Sequence, residues 1–95
     1  MKLTTLQIEH AARVLHARPV PENSRMAPDL MRWFGEHTFF LGDTGLHILE
    51  PAEITESGAE TGRLVRVASW TDSRHTALAT HAPKATEVFV QLHDA

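Results

Sequence analysis

Seven histidines, at positions 10, 16, 37, 47, 75, 81 and 93, are the side chains of this 95-residue chain best suited to proton transfer or metal binding. Ligands of a metal must converge. His10 and His16 are six apart on a stretch of helical pattern, which turns them away from each other. His75 and His81 would share a strand face about 20 Å apart, at about 3.3 Å per residue. No HxH, HxxxH or HExxH occurs. His37 and His47 are the pair a hairpin would bring near each other, with Glu36 and Glu50 at hand. The histidines are nevertheless read as surface and rim residues, and neither a metal nor a cofactor is expected.

Hydrolysis needs a nucleophile, a base and an orienting group. Ser69, Asp72, Ser73 and His75 crowd into ASWTDSRH. Neighbours on a tight turn rarely point at a common centre, and no GxSxG elbow is present. Asp72 and Ser73 are better read as turn formers. GDTG (residues 42–45) lacks the GxxxxGK[ST] pattern and following helix of a phosphate loop. No catalytic residue is assigned.

The composition narrows the partners. The formal net charge is −3 and the nine basic residues are scattered, which argues against nucleic acid and anionic membranes. Trp70 beside Arg66 and Arg74 is the one candidate for base stacking. No apolar run approaches membrane-spanning length. There is no cysteine, so disulfides, zinc ribbons and thiol catalysis drop out, and a reducing compartment fits. MKLTTLQIEH lacks the apolar core of a signal peptide. Arginine outnumbers lysine and alanine is frequent, as in GC-rich bacterial genomes. A single cytoplasmic bacterial domain over residues 1–95 is expected.

The elements that must position any site begin with a helix. Ile8, Ala11, Ala12 and Leu15 have the spacing of one helical face, Thr4 and Gln7 can form a capping box, and Arg18–Pro19 stops the run. A helix over 5–17 is predicted. PVPENSR reads as a linker. Pro28 suits the first turn of a second helix over 28–34, with Gly35 as its positive-φ stop. The rest reads as strands: HTFFL and LHILEP as a hairpin ended by Pro51, then GRLVRVASW, HTALATH and EVFVQL, with AEITESGAETG and HAPKAT as connections and HDA as a frayed tail. The fold class is α+β: two N-terminal helices on one face of an antiparallel sheet of about five strands, in the order α-α-β-β-β-β-β.

Four of the chain's aromatic residues, Trp33, Phe34, Phe39 and Phe40, fall in WFGEHTFF. Rings of about 150–250 Å² each can fill a small core, so the stretch is read as a staple between the second helix and the sheet. One ring of each pair is expected at a rim, with Glu36 and His37 outside.

The function expected from these features is non-enzymatic binding of a protein partner or a second copy, as a homodimer. EVFVQL is the candidate edge, with Val88, Val90 and Leu92 inward and Phe89 on a bare face. The alternative is a small-molecule binder or enzyme with a cleft between helices and sheet, lined by Trp33, His37, Trp70 and His81.

Overall fold

A computed structural model describes residues 3–21, 23–55 and 58–92, and over 53–55 and 58–60 the backbone alone. The expected tail HDA, with His93, lies outside the described residues, as do Glu56 and Ser57 of the expected connection. The elements are α1 (Thr5–Leu15), β1 (Arg18–Pro19), α2 (Ala27–Phe34), β2 (Phe40–Leu41), β3 (Gly45–Thr55), β4 (Gly58–Trp70) and β5 (Leu78–Gln91). The strands form one antiparallel sheet in chain order. The α+β class and an antiparallel sheet of five strands are as the sequence predicts, but the order is α-β-α-β-β-β-β, because a short strand forms between the helices and two expected strands are one. β1 takes Arg18, read with Pro19 as the stop of the first helix, and Pro19, the first residue of the expected linker; it pairs Arg18 with Leu41 and Pro19 with Phe40.

α1 carries the expected capping box. The Thr4 hydroxyl accepts from the Gln7 N–H, and the Gln7 side chain accepts from the Thr4 N–H. The Gln7 amide also donates to the Leu92 carbonyl at 2.8 Å, tying the helix start to the end of β5. The helix stops earlier than predicted because His16 turns left-handed, at φ 51°, and the Ala17 N–H closes back on the Ala12 carbonyl. α2 ends as expected at Gly35, whose φ is 87° and whose N–H bonds the Met31 carbonyl.

β3 does not end at Pro51. It runs on to Thr55, with Pro51 opposite Gly62 and a register shift directly after it. An irregularity at that point tolerates the missing proline N–H. HTALATH, HAPKAT and EVFVQL, expected as strand, connection and strand, are one edge strand, β5, interrupted twice. Val67 lies opposite the stretch His81–Pro83, and Leu64 opposite Thr86–Val88. At the second interruption the Thr86 hydroxyl donates to the Leu64 carbonyl at 2.7 Å and accepts from the Val88 N–H. The hydroxyl thus satisfies ladder groups that the bulge would leave open. Val88, expected inward, is 43% exposed, because it lies in that bulge.

The helices do not share a face. Leu30 of α2 is buried with Phe39, Leu46, Ile48 and Val65. Ala11 of α1 is buried with Phe40, Leu49 and Val90, with Leu64 packed alongside. Each contrast within Phe39/Phe40, Ile48/Leu49 and Leu64/Val65 is between successive residues, which point to opposite faces of a strand. One helix therefore backs each side of the sheet. For the same reason Phe39 and Phe40 are both buried, where one of them was expected at a rim. Trp33 is the ring left outside, 61% exposed, set edge-on to Phe34.

Candidate functional site

The first depression is a cleft of about 420 Å³ between α1, β1 and α2. Its walls are mostly apolar: Leu3 and Ile8 from the α1 side, Val20 and Pro21 after β1, Ala27 and Met31 from α2. The floor is His37, Thr38 and Phe39. These residues meet because α1 and α2 stand on opposite faces and close around the β1 edge, where the Val20 N–H bonds the Phe39 carbonyl at 2.8 Å. The Thr38 hydroxyl is held by the Leu3 N–H at 3.1 Å. His37 packs edge-on to Phe39, ring centroids 6.1 Å apart. Burial is the main influence on its pKa and lowers it below the usual 6.5. The Glu50 carboxylate and a hydrogen bond to the Phe34 backbone oppose that shift. His37 is thus a partly buried imidazole biased towards neutrality, one nitrogen donating to a carbonyl. Glu36 and His37 were expected on the outside of the reversal; Glu36 is exposed and His37 is not.

A second depression, of about 760 Å³, opens where the β2–β3 turn meets the β4–β5 loop. Gly42 and Gly45 close that turn with an N–H···O bond of 2.9 Å. Trp70 lies against it, donating its indole N–H to the Gly42 carbonyl at 2.8 Å. His75 stacks on Trp70, nearly parallel, with centroids 4.7 Å apart. The loop is braced by Asp72, whose carboxylate accepts from the Thr76 N–H and hydroxyl. Those bonds hold the Asp72 pKa below the ordinary carboxylate range. Asp72 is therefore the turn former expected. A third depression, of about 400 Å³, is lined by Trp33, Phe34, Thr80 and His81.

The four residues expected to share one cleft are thus divided. Trp33 and His81 come together in the third depression, Trp70 lies in the second and His37 in the first. Both ring nitrogens of His81 are engaged. Nδ1 lies 2.8 Å from the Ala82 carbonyl and must donate, and in the neutral ring Nε2 then accepts from the Ser69 hydroxyl, also at 2.8 Å. Ser69, Asp72 and His75 of the ASWTDSRH cluster each have a different partner. His47 is buried in the hairpin, its Nε2 3.0 Å from the Thr44 hydroxyl. Burial lowers its pKa, as does the Arg66 charge, against a hydrogen bond to the Gly45 backbone. Among the described residues no group of three or more His, Asp or Glu side chains could hold a metal ion, and no helix is long and apolar enough to cross a membrane.

Sequence reasoning picked out His37 but not its neighbours. Ile8 and Met31 have the helical spacing of core residues, and nothing local marks them as cleft walls. No known protein family, curated protein or solved structure matches the chain.

Proposed function

We propose that the protein binds a small, largely apolar molecule in the cleft between α1, β1 and α2, with His37 as the polar contact. One observation carries this reading: an apolar concavity of ligand size closed at its base by a partly buried imidazole. Pockets for small ligands are apolar, with a few placed polar groups that orient the guest. With one nitrogen donating to the Phe34 carbonyl, the other nitrogen of the neutral ring can accept a hydrogen bond from a ligand hydroxyl. The reading is non-enzymatic, since binding needs no second acid or base beside His37. Cysteine-free, arginine-rich composition favours a bacterial, cytoplasmic setting.

Titration with 2-naphthol, followed by amide and side-chain NMR, tests the cleft. Shifts should centre on Ile8, Ala27, Met31, Phe39 and the His37 ring. Met31→Trp, which fills the cleft, should weaken binding at least tenfold while the fold is kept. Shifts centred elsewhere, or binding unchanged in the Met31 variant, would overturn the reading.

A second reading, self-association through β5, is favoured by the exposure of Val88 and Phe89 on an outer strand. Phe89 lies under the Arg63 guanidinium, 4.8 Å from the ring centroid. The two bulges and Pro83 limit regular pairing along this edge, so a homodimer formed there would be weak. Sedimentation showing only monomer at high concentration would exclude it.

A further inference from the structure

We propose that the depression beside the Trp70–His75 stack is a second binding site, taking a small zwitterion with an aromatic group, of the α-amino-acid class. It shares only the wall residue Pro19 with the His37 cleft, and does not rest on ligand binding there.

The first observation is conformational. Among the described residues only two other than glycine have positive φ, His16 at 51° and His75 at 56°, and both line this depression. Such backbone is disfavoured for a residue with a side chain, and it clusters where geometry serves function. His16 is the C-cap of α1, where glycine or asparagine would be easier.

The second observation is charge. Arg18 and Asp43 line the same depression. Arg18 pairs with Leu41 across β1 and β2, and Asp43 follows Leu41 by two residues, so both rise beside the same turn. Both are exposed, and among the described residues neither side chain has a hydrogen-bond or ion-pair partner. One guanidinium and one carboxylate suit a ligand bearing one of each opposite charge. A guanidinium fits a carboxylate through two parallel hydrogen bonds, and Asp43 accepts from an ammonium. A purely anionic ligand would meet Asp43 and the negative C-terminal end of α1 as repulsion.

The third observation is the stack. The indole N–H of Trp70 is committed to Gly42, which leaves this pair to act through its ring faces. His75 covers Trp70 and is itself exposed, so a ligand ring can extend the stack over the imidazole. Arg18 would thus bind the ligand carboxylate, Asp43 its ammonium and His75 its ring.

The test uses Trp70 as reporter in the full chain carrying Trp33→Phe, an exposed substitution that leaves one indole. L-Phenylalanine, phenethylamine and 3-phenylpropionate are titrated against its fluorescence. Phenylalanine should bind at least tenfold more tightly than either truncated probe. Arg18→Gln should abolish its advantage over phenethylamine, and Asp43→Asn its advantage over phenylpropionate. Circular dichroism confirms that each variant is folded. Equal affinity for all three probes, tighter binding of phenylpropionate, or no response of Trp70 to phenylalanine would each overturn the proposal.

Discussion

The two faces of the sheet are filled differently. On the α1 side an 11-residue helix, capped at both ends and tied by Gln7 to Leu92, covers Phe40, Leu49 and Val90. On the α2 side an 8-residue helix buries only Ala27 and Leu30 and leaves Trp33 outside. The short helix does not span its face, and two of the three depressions lie at its margins. The first lies between α1, β1 and α2, and the third beside Trp33 and Phe34, whereas the second opens at the C-terminal end of α1. The α1 face is thus the more fully closed, while the first depression is walled by both helices.

The largest effect should come from breaking what both faces share. Gly45 has φ 147°, and an added Cβ would stand 2.1 Å from the Ala68 carbonyl oxygen. Gly45→Ala should cost more than about 3 kcal/mol and disrupt both clusters together, read by urea melts. Retention of full stability would show that the β3–β4 pairing yields more easily than this geometry allows.

The difference between the faces is sharpened by two phenylalanines. Phe40 is fully buried beneath α1, and Phe40→Ala should cost about 3–5 kcal/mol. Phe34, partly buried at the edge of the other cluster, should cost about 1–2 kcal/mol on the same substitution, since less apolar surface leaves water. Equal losses would mean that the α2 face is as closed as the other. Leu15 is only partly buried in α1, so Leu15→Ala should fall near the smaller value.

The smallest effect is the pH dependence. Burial depresses the folded-state pKa of both His37 and His47 below 6.5. The unfolded chain therefore binds more protons on acidification. The stability contributed by the neutral rings is present above about pH 6.5 and is lost as pH falls through the lowered folded values. His47→Gln should flatten this slope in melts between pH 7.5 and 5. An unchanged slope would assign the acid sensitivity to other groups.

Local rules made much of the fold legible. The Thr4–Gln7 box, the Gly35 stop and the β2–β3 hairpin are set by neighbours in sequence, and each is found. The sequence divides β5 in two, because Pro83 and the polar HAPKAT stretch look like a connection, and only an edge position with bulges makes them strand. The two-sided sheet is not anticipated, because with both helices on one face only one of Phe39 and Phe40 can point into a core. A strand buried on both sides shows little polar alternation, and that was the available signal. The site residues are harder still. Trp70 and His75 meet through a loop braced by Asp72, and His37 becomes part of a cleft only when two helices close on the β1 edge. Neither arrangement has a signature at the level of spacing.

The most direct test of the ligand cleft is titration of the His37 ring protons by NMR, with and without 2-naphthol. The midpoint should lie below 6.5 in the free protein and be displaced by the probe, while the His47 and His81 signals hold. A midpoint near 6.5 that ignores the probe would contradict the ligand reading and return WFGEHTFF to a purely structural role.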